Sequence, residues 1–143
     1  MVKVWLITGS GSGLGRDIVE AALAAGDRVV AGARRLEELH ALVEQYSDRI
    51  SPVNLDVRDE EAAKAAVQRA VDVYGRLDVL VNNAGYQYNA PFEQITPEKF
   101  RDVIETCLFG VVYTTRSSAR DAQAERRAHL PGVLDWRACH DTG

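Results

Sequence analysis

Lys3-Val4-Trp5-Leu6-Ile7-Thr8-Gly9-Ser10-Gly11-Ser12-Gly13-Leu14-Gly15 is the stretch from which the fold is read. Lys3 to Thr8 is a short β-prone run. Its apolar residues, Val4 to Ile7, follow one another without alternation, as in a parallel strand covered on both faces. The run stops at a glycine cluster. Beyond it Leu14, Ile18, Ala21, Ala22 and Ala25 recur at three- and four-residue spacings, which predicts a helix with one apolar face, and Gly26 supplies a left-handed stop.

The same alternation continues outward. Arg28 to Ala33 reads as a second strand, Leu36, Leu39, Leu42 and Val43 mark a second helix, and Ile50 to Leu55 is a third strand. Asp59 caps a helix carrying Ala62, Ala63, Ala66, Val67, Ala70, Val71 and Tyr74, and Leu77 to Val81 is a fourth strand. Strands separated by helices imply right-handed βαβ crossovers, hence an α/β protein with a doubly wound parallel sheet. With about four strands that sheet is incomplete. Thr96 caps and Pro97 opens a long helix, predicted over 97–116, with Phe100, Val103, Ile104, Cys107, Leu108, Val111, Val112 and Thr115 as its apolar stripe. That stripe is wider than a sheet needs. Two readings are open: it packs on the sheet alone, or it also meets a second copy of the chain in a homo-oligomer.

Bulk properties narrow the partners. A chain of 143 residues is the size of one domain, and 46% hydrophobic with 27% charged residues is ordinary for a globular protein. A net charge of -4 argues against a nucleic-acid or anionic-membrane surface, so the expected partner is a small molecule. Cys107 and Cys139 fit no zinc ribbon or disulfide framework, which points to a reducing, intracellular setting. Val4 to Ile7 is too short for a signal segment or a membrane span, and the expectation is a cytoplasmic protein.

The glycines of Thr8, Gly9, Ser10, Gly11, Ser12, Gly13, Leu14 and Gly15 let the backbone turn tightly and approach an anion closely. A helix beginning near Gly13 adds free N–H groups and a positive dipole end. A glycine trio is also what a flexible turn contains. Placed directly after the first strand and before a helix, it points to the pyrophosphate of a dinucleotide. At the end of the second strand an acid would accept from the adenosine ribose, but Ala33 is followed by Arg34 and Arg35. Guanidinium groups suit a 2′-phosphate, which favours NADP over NAD; the alternative is that both arginines are solvated caps of the next helix. Asp56 and Val57 follow the third strand, where Asp56 either accepts from the adenine amino group or serves as a loop aspartate. Asn82, Asn83, Ala84 and Gly85 follow the fourth strand at the same edge, to border the cofactor or to form a plain turn.

Taken in order, Thr8-Gly9-x-x-x-Gly13-x-Gly15, Asp56-Val57 and Asn82-Asn83-Ala84-Gly85 resemble the short-chain dehydrogenase/reductase family, over residues 1 to 116. The resemblance implies a Rossmann-type fold, hydride transfer between NAD(P)(H) and an alcohol or carbonyl, and oligomers formed through the long helices. It also implies residues that this sequence lacks. Members carry an Asn in the long helix, a Ser after strand five, and a Tyr-x-x-x-Lys pair, with Tyr as acid/base and Lys lowering its pKa. Here Cys107 stands where the Asn is expected. The residues four past Tyr46, Tyr74, Tyr86, Tyr88 and Tyr113 are Ile50, Asp78, Ala90, Phe92 and Ser117, and the last lysine is Lys99. No residue is assigned a catalytic or metal-binding role.

Residues 1–116 are therefore expected to form a partial dinucleotide-binding domain, and 117–143 a disordered or irregular tail foreign to the family. Arg116, Arg120, Arg126, Arg127 and Arg137 cluster in or beside that tail, with few apolar residues. A slip of reading frame near Arg116 accounts for the abrupt change. Back-translating Arg127 to Gly143 and reading one nucleotide later permits Gly-His-Ile-Phe-Gln-Val-Ser-Ser-Ile-Gly-Gly, which resembles the family's serine-bearing strand. His129, Cys139, His140 and Asp141 are too crowded for a metal site. Two other readings stay open: a non-catalytic binding module with a docking tail, and an unstable fragment with an uncovered sheet edge.

Overall fold

The computed structural model describes residues 1–129, with side chains through Asp121. Four strands, β1 (Val4–Thr8), β2 (Arg28–Ala33), β3 (Ile50–Asn54) and β4 (Val79–Val81), form one parallel sheet in the order β3-β2-β1-β4. The first strand thus lies inside the sheet, with Leu6 opposite Val30 on one side and Leu80 on the other. Two chain directions diverge from it. The chain runs through α1 (Gly13–Ala24) and α2 (His40–Tyr46) toward one edge, then returns over α3 (Glu60–Tyr74) to place β4 on the opposite side of β1. The sheet is the expected doubly wound α/β type.

Alternation of side chains divides the core into two layers. Ile7, Val29 and Ala31 point to the face covered by Val19 and Leu23 of α1 and Leu39 and Leu42 at α2. Val4, Leu6 and Val30 point to the other face, against Ala66, Val67 and Ala70 of α3. Asp59 caps α3 as read from the sequence, its carboxylate accepting from the amides of Glu61 at 2.9 Å and Ala62 at 3.3 Å. Gly75 closes that helix in the left-handed region with φ 81°.

Helix phase differs from expectation in two places. In α1 the buried positions are Gly15, Val19, Ala22 and Leu23, whereas Leu14, Ala21 and Ala25 face outward. The close approach of Gly15 to Gly9 and Asn83 sets this rotation. The second difference lies in the long helix. It comprises α4 (Pro97–Ile104), a π turn at Glu105–Phe109 and α5 (Gly110–His129), so it neither runs without interruption nor ends at 116. The wider π turn re-aims the face that follows. Gly110, Thr114 and Ser117 are buried against α3, while Phe100, Leu108 and Val112 of the expected stripe are exposed. A Cβ at Gly110 would strike the Val57 side chain, so the small residues permit a close crossing. Residues 117–129 continue the helix, which corrects the expected irregular tail over that span; Cys139, His140 and Asp141 lie outside the described residues. No helix of the described residues is long and apolar enough to cross a membrane.

Candidate cofactor site

The carboxyl ends of the strands frame a cleft of about 350 Å³ where the two chain directions diverge from β1. Its floor is the glycine loop. Gly9 and Gly13 take φ of 66° and 55°, conformations that a side chain would strain. Gly15, in the first turn of α1, lies so near the Gly9 carbonyl and the Asn83 amide that any Cβ would collide with both. Ser12 precedes α1 in extended conformation and makes no side-chain cap. The first-turn amides of α1 therefore lack a side-chain acceptor at the end of the helix that attracts anions.

Not every predicted residue faces the cleft. Gly9, Ser12, Leu14, Arg34, Arg35, Asp56, Val57, Asn83, Ala84 and Gly85 line it. Thr8 and Ser10 are buried behind the loop, only 1% and 0% exposed. The Ser10 hydroxyl donates to the Ile7 carbonyl at 2.7 Å, and its amide donates to Gly32 at 2.9 Å. Thr8 accepts from the amides of Asn83 at 3.0 Å and Ala84 at 2.9 Å. The Asn83 side chain returns the connection, donating to the carbonyls of Thr8 at 3.1 Å and Gly9 at 3.2 Å. These bonds fasten the loop after β4 to the loop after β1.

One wall is charged. Arg58 donates to both carboxylate oxygens of Asp56, and this hydrogen bonding, ahead of simple charge attraction, holds the Asp56 carboxyl below the ordinary carboxylate range. The same guanidinium reaches Asp102 on α4 at 2.8 Å, and Asp102 accepts from the Tyr86 hydroxyl at 2.7 Å. The hydrogen bond to Asp102 pushes the Tyr86 phenol up to about 12. Asp56 is thus engaged by Arg58. Cys107, in the π turn, contacts the Tyr86 carbonyl at 3.5 Å. The sequence reading overlooked Arg58, Asp102 and Glu38. Arg58 stands two residues past Asp56 and Glu38 three past Arg35, spacings that allow local ion pairs, whereas nothing near Asp102 in the sequence announces Arg58.

An open parallel sheet with a glycine loop, uncapped helix amides and a cleft at the strand divergence defines the class of Rossmann-type dinucleotide-binding folds. Comparison with known proteins agrees. The family model described as short chain dehydrogenase matches residues 3–129. Oxidoreductase BOA17 of Botryotinia fuckeliana is 41% identical over 131 residues, covering 91% of this chain and 48% of that protein. A short-chain dehydrogenase from Streptomyces avermitilis superposes with a TM-score of 0.82 at 44% identity, covering 87% of this chain and 46% of the other. The 3-ketoacyl-(acyl-carrier-protein) reductase from Brucella melitensis, complexed with NADH, gives 0.82 at 30% identity, covering 89% and 52%. This chain belongs to the short-chain dehydrogenase family. It spans about half the length of the relatives it matches, and the matched segment runs past Ser117 to 129.

Proposed function

We propose that this chain is the cofactor-holding part of an NADP(H)-dependent oxidoreductase whose reaction is hydride transfer to or from a small alcohol or carbonyl. The observation that carries the reading is the pairing of an uncapped α1 N-terminus with Arg34 and Arg35 on one cleft. The amides at Gly13, Leu14 and Gly15 would hold the pyrophosphate, and Arg34 and Arg35 the 2′-phosphate. Asp56 and Val57 would border the adenine, and Asn83, Ala84 and Gly85 the far side of the dinucleotide. A bound nicotinamide supplies the hydride chemistry. The chain's own residues bind and orient; its sequence contains no Tyr-x-x-x-Lys, and a thiol at Cys107 cannot replace an amide's donor and acceptor pair. The polypeptide by itself therefore binds cofactor with little turnover.

Fluorescence titration of the purified protein with NADPH and NADH tests this. NADPH is expected to bind more tightly, and the double variant Arg34→Gln, Arg35→Gln to weaken NADPH roughly tenfold with NADH little changed. Equal affinities that the double variant leaves unchanged overturn the NADP assignment. Alcohol oxidation proportional to added protein overturns the claim of low turnover.

A further inference from the structure

Glu38 sits in the 3₁₀ turn Leu36–Leu39 and lines the cleft. Its carboxylate pairs with the Arg35 guanidinium. The same carboxylate lies over Gly11 of the glycine loop, so near that a Cβ there would overlap it. Its backbone carbonyl accepts from Arg16 of α1 at 3.1 Å, which anchors the residue from behind. The Glu38 side chain is 29% exposed, against 77% for Arg35, so the acid is the more enclosed member of the pair. An acid is thus present beside the glycine loop although none directly follows β2.

We propose that Glu38 is a determinant of cofactor choice that opposes Arg34 and Arg35. The inference rests on the reading that those arginines face the adenosine ribose. The carboxylate holds the place beside Arg35 that a 2′-phosphate would take, and two anions cannot occupy it without repulsion. The phosphorylated dinucleotide has to displace Glu38. A ribose hydroxyl does not, because it can donate a hydrogen bond to the carboxylate. Glu38 thereby narrows the preference for NADP(H) that the two arginines would set alone, and keeps the site open to NAD(H).

The test is titration of wild type, Glu38→Gln, Glu38→Ala and the Arg34→Gln, Arg35→Gln double variant with NADPH and NADH, in dilute buffer and at about 0.5 M salt, where exposed charges are screened. Glu38→Gln keeps the size and removes the charge; it is expected to tighten NADPH roughly tenfold and leave NADH equal or weaker, with a smaller effect in salt. Glu38→Ala should shift the ratio in the same direction. A Glu38→Gln ratio equal to wild type, in protein whose circular dichroism is unchanged, overturns the proposal while a weakened double variant keeps the arginine reading. If the double variant binds NADPH as wild type does, the arginine reading fails and this proposal with it.

Discussion

At Thr8 a hydroxyl uses both its acceptor positions and its proton: it accepts from the amides of Asn83 and Ala84 and donates to the Val81 carbonyl. Valine has the same shape and none of these bonds. Thr8→Val is expected to lower stability by about 1–3 kcal/mol, since two amides lose their acceptor in a part-buried place, and to weaken NADPH binding with it. Thr8→Ser restores most of both. Urea midpoints and cofactor titrations on the pair check this; a Thr8→Val midpoint equal to wild type contradicts it. The role of Thr8 was not legible from the motif, because a glycine-rich loop shows where the backbone must bend and not which side chains turn inward. Gly9 and Gly13 were legible for that reason, and Ser10 was not.

Among the elements, strands and caps were the most readable. β2 has the predicted bounds, and Asp59 and Thr96 cap their helices, because these signals are local. Helix rotation was harder. Apolar spacing in α1 suggested a face through Leu14 and Ala21, but contact at Gly15 turned the helix toward Val19 and Leu23. In the long helix the π turn breaks the period, so small residues at Gly110, Thr114 and Ser117 are buried where an apolar stripe was expected. Thr114 donates to the Asn82 side chain there, and Asn82 donates to Thr115 at 3.2 Å, which fixes α5 to the end of β4. Phe100, Leu108 and Val112 of the displaced stripe, from 37% to 53% exposed, form the surface through which we propose the chain self-associates. Sedimentation equilibrium at micromolar concentration should show dimers or larger species. Leu108→Ser with Val112→Ser should shift them toward monomer without changing the melting temperature much, and an unchanged distribution counts against this interface.

For the molecule as a whole, paired carboxylates set the acid limit. Asp56 is lowered chiefly by hydrogen bonding from Arg58, Asp78 by Arg76 with the Val4 amide also contributing, and Asp102 by Tyr86 and then Arg58. A carboxyl whose folded pKa is depressed stabilises the fold above its unfolded value of about 3.9, and that contribution disappears as pH falls through the folded value. Asp121, raised by burial, acts in the opposite sense, its ionisation opposing the fold as pH rises. Urea midpoints are expected to be nearly level down to about pH 5 and to fall below about pH 4, with a shallower fall in Asp78→Asn. A midpoint that rises on acidification contradicts the assignment. The sheet order bears on synthesis as well. Although β1 is synthesised before β4, the two are neighbours in the sheet, and the Thr8 hydroxyl finds its acceptor role only once Asn83 and Ala84 have been added. The glycine loop is therefore an early sequence and a late structure. A nascent chain that has passed Gly15 carries the motif but not the contacts that fasten it, which wait for the return crossover through α3.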